Sequence, residues 1–457
     1  MGFGDNVGTL FENFGDNMFK RTLLASAIAL LAYPLSAKEV SPEAFLTTYA
    51  DLAQLSYQHS LEDAKKIQAA IHQFVDNPTE QTFEAAKQAW LDGRDSYSRS
   101  EVFRLSEGPI DAEEGWVAEA YGALESHINS WPLDENMIDY TIDADGNKTS
   151  GNIIDSKGEF IPAALEDEPT AVNIDNINTD TISALNLNGG EANVASGYHA
   201  IEFLLWGQDQ DYDNMLEDKI THGAMVAGQR PLSDFTEDAY ASRRKDYLRA
   251  AVDKLVEDLA TVNGAWASAI NGNEGLYRAA LLGQLEGAQA EKNIAQDEAL
   301  KQILAGMGVF LKSELANERI AVAVLTPSEE DEHSCFSDNT HRDIISNFEG
   351  FKNVLFGRYE GQSIGVAPFD VLSDAEQAEV LALIKDIDAR VDKMNQLATT
   401  SMHFDYQIHP SNQESAQNIV TMKNQMRKLA DKMVLVAKGF GVSLTEEDVT
   451  DPEETSV

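Results

Sequence analysis

A chain of 457 residues exceeds what one hydrophobic core usually organises, so two domains are expected; with 43 % hydrophobic and 24 % charged residues, its composition is that of a globular protein and excludes a disordered one. The charge is less ordinary: 77 Asp and Glu stand against 34 Lys and Arg, and a formal net charge of -43 repels phosphate backbones and anionic headgroups, excluding nucleic acid as a partner while attracting cations. The lone cysteine, Cys335, excludes an internal disulfide and thiolate-rich zinc or iron–sulfur centres, so any metal must be held by His, Asp, Glu or carbonyl oxygens.

Lys20 and Arg21, the apolar run from Thr22 to Ala32, and the small residues Ser36 and Ala37 form the pattern of a secretory signal peptide over residues 18–37. The run is too short to span a bilayer comfortably, and no cysteine follows the cleavage point to take a lipid anchor. Met18 is then the expected start, and residues 1–17 a non-native or misassigned extension. The mature chain is expected to begin near Lys38, to carry no transmembrane segment, and to work in a periplasm or at an outer-membrane or cell surface.

Helix signals dominate the mature chain. Ser41-Pro42-Glu43 supplies an N-cap, a proline at the first helical position and an early acid, opening a helix with Phe45, Tyr49, Leu52 and Leu55 on one side. Asn77-Pro78 ends it, and Thr79 starts a second helix carrying Phe83, Trp90, Tyr97 and Phe103, stopped by Gly108-Pro109. A third is expected from about Gly115 to Ser130. Residues 134–194, rich in Asp, Asn, Gly and Thr, read as a long loop with a small hairpin, a length that is uncommon unless it covers or shapes a site. Asp143, Asp145 and Asn147 there resemble the start of a calcium loop, but Gly146 is misplaced and Ile154 stands where the closing Glu belongs, so the segment reads as a turn.

From Gly197 to Gly207 the chain is apolar nearly all round, the mark of a buried helix ended by glycine. A long helix from Phe235 to Ile270 comes next. Two S-x-x-E boxes, Ser373 with Glu376 and Ser411 with Glu414, announce the last two long helices, and the acidic tail after Thr445 is expected to fray. The fold class is all-α: two helical bundles, 38–230 and 231–445, with the irregular insertion in the first and an acidic tail over 446–457.

His199 and Glu202, three apart, share one helix face and can ligate one cation or bond each other. The H-x-x-E spacing is weak by itself, since His59 and Glu62 share it. Context separates them: an ionised Glu202 among Ile201, Phe203, Leu204, Leu205 and Trp206 must be neutralised, by a metal or by an arginine. Arg94, Tyr97, Glu101 and Arg104 form a ladder at spacings of three and four. It reads either as helix-surface ion pairs or as a site in which Glu101 is a third metal ligand and the arginines anchor a carboxylate. The run from His333 through Asp338 to His341 is first a capping loop, with Ser337 or Asp338 at the N-cap, and secondarily a site. No G-x-S-x-G elbow, phosphate-cradling Gly-Lys loop or H-E-x-x-H zinc helix is present.

The stretch from Gly197 to Gln208 resembles the G-x-H-x-x-E signature of the imelysin family, followed by its W-G-x-D run at Trp206, Gly207 and Asp209. Tyr97 to Arg104 with Gly108-Pro109-Ile110-Asp111, Ser130-Trp131-Pro132-Leu133-Asp134, Arg243-Arg244 with Tyr247-Leu248, and His333 through His341 extend the resemblance along nearly the whole mature chain; the last resembles the family's iron-regulated branch. The resemblance implies two helical bundles related by divergent duplication, the signature at the cleft between them, an envelope location and a link to iron acquisition. It implies His199 and Glu202 as metal ligands, with Glu101 a further one; Arg94, Tyr97, Arg104, Asp338 and His341, from the ladder and the His333–His341 run, are the candidate ligand-binding residues. A divalent metal ion, iron or zinc, is the implied cofactor, and other envelope iron-uptake proteins are the implied partners. Two functions are implied: a binding protein for a metal ion or an iron-associated ligand, and a metal-dependent peptidase. The family is catalogued among proposed metallopeptidases, but only two ligands lie close in sequence, and no Glu adjoins His199 as it would in H-E-x-x-H.

Overall fold

The computed structural model describes residues 40–143, 145–209, 223–325 and 331–452. The extension, the signal-like segment at 18–37 and the end of the acidic tail lie outside the described residues. Helix α1 (Pro42–Asp76) starts where the proline and the Ser41 cap require: the Ser41 hydroxyl accepts the Ala44 amide at 3.2 Å. Helix α2 (Glu80–Ser100) opens on a reciprocal cap between Thr79 and Thr82 and packs along α1. The expected third helix is broken into Gly115–Tyr121 and Glu125–Ile128, because Gly122 and Ala123 both take positive φ.

Helix α3 (Gly197–Trp206) is buried at every residue, as its sequence demands. Gly197 has φ +88, and a Cβ there would lie 2.5 Å from the Ile128 carbonyl oxygen, so the glycine of the signature is fixed by close backbone approach. The Trp90 indole donates to the Tyr198 carbonyl at 3.1 Å, tying α2 to α3. The next long helix is shorter than expected: Ser233–Thr236 is a separate turn, and α4 runs Ala241–Ala265. Arg243 on α4 donates to the carbonyls of Ile153, Ile154 and Ile174, pinning the 134–194 insertion. That insertion contains the small hairpin, β1 (Glu159–Phe160) antiparallel to β2 (Val172–Asn173). Asp143 accepts the amides of Asp145 and Asn147, the turn expected there.

Helix α5 (Gln296–Val309) runs directly into a π-helical stretch, Phe310–Ala321, which is long for a conformation usually met as a single bulge. Helices α6 (Thr340–Leu355), α7 (Asp374–Thr400) and α8 (Gln413–Ala430) complete the long elements, with a two-residue hairpin between α6 and α7, β3 (Arg358–Tyr359) against β4 (Gln362–Ser363). Ser373 and Glu376 form the expected capping box at α7, but α8 starts from Asn412, and Ser411 bonds His409 instead. The start of the acidic tail is anchored rather than frayed, with Val449 buried against Gly308.

The fold is all-α apart from these two small hairpins. The expected division near residue 230 falls in the connection before Ser233; α1 packs on α4 and α2 on α6, and residues from Phe45 to Val449 share one apolar core. Each large aliphatic or aromatic side chain moved into that core contributes roughly 1.5–3 kcal/mol. Among the described residues no helix is long and apolar enough to cross a membrane.

Candidate functional site

Helix α3 presents His199 and Glu202 on one face, both with side chains fully shielded from solvent. Their Nδ1 and Oε2 atoms are 3.1 Å apart. The other carboxylate oxygen, Oε1, accepts the Ser337 amide at 3.0 Å and the Ser337 hydroxyl at 2.6 Å. Ser337, expected at an N-cap, therefore hydrogen-bonds the acid of α3 instead, while α6 starts from Asn339 with no side-chain cap. Burial pushes the Glu202 carboxyl up to about 8; the Ser337 donors oppose this, and the negative charge of Asp343 adds to it. Burial holds His199 well below the usual histidine range, with His333 and Arg94 acting in the same direction.

His199 Nε2 is buried and receives no hydrogen bond from the protein. A buried ring nitrogen left open, with the other nitrogen oriented by a carboxylate, is how proteins set a metal-ligating imidazole. The His333 ring crosses close by, with centroids 4.6 Å apart at 72°. His333 Nδ1 is in turn 2.7 Å from Asp343 Oδ2, which also accepts the Ser334 hydroxyl at 2.5 Å, so its other nitrogen is likewise oriented by a carboxylate partner.

From Asp343 a buried polar network runs into the ladder of α2. Arg94 donates from Nε to Asp343 at 3.2 Å and from Nη1 to Asn129 at 2.5 Å, while Arg94 Nη2 is buried without an acceptor. The ladder is therefore not a row of surface ion pairs: α2 ends at Ser100, and Glu101 to Phe103 form a tight buried turn. Glu101 accepts from Asn129 at 3.2 Å, from Asn347 at 3.0 Å and from Arg319 of the π-helical stretch. Burial alone would raise its carboxyl, but Arg319 and Arg94 outweigh that and lower it. Arg104 reaches Glu314 at 2.9 Å and Glu125 at 3.4 Å. Tyr97 stacks obliquely on Tyr198, centroids 5.0 Å apart, with its hydroxyl buried and unbonded.

Of the residues singled out, His199 and Glu202 are thus together, Arg94 reaches them through Asp343 and the His333 ring, and Glu101 and Arg104 occupy the far end of the network. Glu101 has its oxygens engaged by amides and a guanidinium, so it does not converge with His199 and Glu202 as a third ligand in this arrangement. A metal at this position fits one open donor, His199 Nε2, with Glu202 orienting the ring. Asp338 and His341 stand apart from the network: Asp338 has φ 57, its carbonyl lies 3.2 Å from His341 Nδ1, and its carboxylate meets His403. Among the described residues the set of carboxylates close enough to share an ion is Asp209, Asp338 and Asp405.

Ser337 as the partner of Glu202, and Asp343, Arg319, Asn129 and Asn347 as the network's joints, were not singled out from sequence. For Arg319 and Asp405 a signal exists: Arg319 opens directly onto the apolar run Ile320 to Val324, and Asp405 stands between Phe404 and Tyr406. Nothing local marks the two asparagines.

The imelysin family model matches residues 53–433. A search of curated proteins returned no match. The fold is similar to the crystal structure of a protein described as an iron-regulated protein A precursor from Parabacteroides distasonis, at 14 % identity over 85 % of this chain and 94 % of that one, with a TM-score of 0.51. The signature glycine held by Ile128, the buried His199–Glu202 pair and a family match spanning most of the described chain agree: this chain belongs to the imelysin family.

Proposed function

We propose that this chain is an exported cell-envelope protein of iron acquisition that binds a metal ion, or a small ligand carrying iron, at the buried polar centre beside α3. The observation that carries the reading is His199 Nε2: fully buried, without a protein partner, on a ring oriented by Glu202. His199 is then the direct ligand and Glu202 the residue that positions it. Export is supported by the sequence at 18–37, and the iron link by the family and its iron-regulated relative.

Peptide hydrolysis is the less favoured reading, because Glu202 has both oxygens engaged, by Ser337 and His199, and offers none to activate a water. The test is titration of metal-stripped protein with Fe(II) and Zn(II) beside His199→Ala and Glu202→Gln. Binding lost in His199→Ala and weakened about 10–100-fold in Glu202→Gln is the expected result. Equal binding by all three proteins would remove the pair from any metal role. Export is checked by the N-terminus of protein recovered from the envelope fraction, expected near Lys38.

A further inference from the structure

Three segments distant in sequence meet beside the α3 terminus: the stretch after α3 brings Asp209, the loop before α6 brings Asp338, and a short helix after α7 (Phe404–Ile408) brings Asp405. Each offers a carboxylate oxygen within 4.8 Å of the other two, and all three residues are buried. Acids in proximity carry little weight on so acidic a chain. The state of Asp405 carries more: the residue is 3 % exposed, and neither of its carboxylate oxygens has a well-formed hydrogen bond, the adjacent Tyr406 amide being the donor near it. Glu332 repeats the pattern in the same loop as Asp338, being 2 % exposed with Oε1 buried and undonated. The negative charge of Asp338 acts on both Asp405 and Glu332, so these three acids share one electrostatic environment. Asp338 has His403 on its carboxylate, whereas Asp405 has no such partner. A desolvated carboxylate without a side-chain donor is compensated by a proton or by a cation, and the convergence of Asp405 with two further carboxylates favours a cation.

We propose that Asp209, Asp338 and Asp405 form a binding site for a hard, oxygen-preferring divalent cation of the calcium, magnesium or manganese class. Carboxylates with no sulfur ligand select that class over soft metals. The site is separate from His199 Nε2, although Ser337, which donates to Glu202, immediately precedes Asp338 in the chain.

The experiment is calorimetric titration of the metal-stripped full chain with CaCl2, MgCl2 and MnCl2 at about pH 7.5, beside Asp405→Asn, Asp209→Asn and His199→Ala. One saturable site for at least one of the three ions is expected, weakened more than about tenfold in either Asp variant and unchanged in His199→Ala. The proposal is overturned by three results: no saturable binding by the wild type, which would mean the acids hold protons only; binding preserved in the folded Asp variants, which would place it on surface carboxylates; or binding lost in His199→Ala but kept in the Asp variants. Should neither Asp variant fold, the wild-type melting temperature decides. A rise of several degrees with one of these ions supports the site, and no rise with any of them overturns it. Failure of the Fe(II) and Zn(II) titration at His199 leaves this result standing, and the converse also holds.

Discussion

The chain contains the same four-residue pattern twice, and the two copies behave differently. His59 and Glu62 lie on α1 with part of each side chain in water; His59 Nδ1 meets the Tyr359 hydroxyl at 3.0 Å, and Glu62 accepts from Gln58 at 2.9 Å. His199 and Glu202, on the buried α3, bond each other at 3.1 Å, and Ser337 of a distant loop closes the remaining oxygen. Spacing of three only puts two side chains within reach. Burial decides whether they must use it, because on α1 water can satisfy each group, whereas on α3 only protein or ligand can.

The largest difference is expected on truncation. Glu202→Ala strips the partner from the Ser337 hydroxyl and amide and from His199 Nδ1, and should cost about 3 kcal/mol or more in urea unfolding. Glu62→Ala should fall within the scatter of surface substitutions. Similar losses for the two would break the contrast.

Next in size is a pH dependence confined to the buried pair. Folding raises the Glu202 carboxyl to about 8, so between its ordinary 4.5 and 8 the folded state holds a proton that the unfolded state releases; a metal taking His199 Nε2 must displace one proton from the His199–Glu202 pair, leaving Nδ1–H donating to the carboxylate. Stability from this group is full below that window and is lost as pH rises through it, on the order of 1 kcal/mol per pH unit. Glu202→Gln should flatten this slope relative to wild type; parallel curves would show that Glu202 is ionised throughout. On the acid side the sign reverses. His199 and His333 are held below their ordinary 6.5, so the folded state binds fewer protons there and stability falls as pH drops, in wild type and variant alike.

Smaller again, Ser337→Ala removes one donor from Glu202 but leaves the amide bond, and should cost about 1–2 kcal/mol. The smallest effect is expected for His59→Ala, which loses one half-exposed bond to Tyr359: a few tenths of a kcal/mol by thermal melting.

Much of the fold was legible because its signals are local. Ser41-Pro42, the Thr79 start, the Ser373–Glu376 box and the all-apolar α3 each specify their element through neighbours in sequence. Where reading failed, a distant partner had taken the local group. Ser337 was taken by Glu202 before it could cap α6, and Ser411 by His409 before it could cap α8. The ladder of Arg94, Glu101 and Arg104 was legible as a pattern but not as buried, because Asp343 and Asn347 of α6, Asn129 and Arg319 arrive from three other parts of the chain. The site shows the same division: the requirement that a charge on Glu202 be compensated was readable from its apolar neighbours, whereas the means, two Ser337 donors and a raised carboxyl, was not.

The most direct measurement is 15N NMR of the imidazole nitrogens in the histidine-labelled full chain, at about pH 5 and again near neutral pH with one equivalent of Zn(II). The expected result is a His199 ring still neutral at about pH 5, and an Nε2 resonance that alone among its two nitrogens responds to zinc by direct ligation. A His199 ring that is an imidazolium at about pH 5, or an Nε2 signal untouched by zinc, would contradict the claim that burial and Glu202 hold this histidine neutral with one nitrogen open for a ligand.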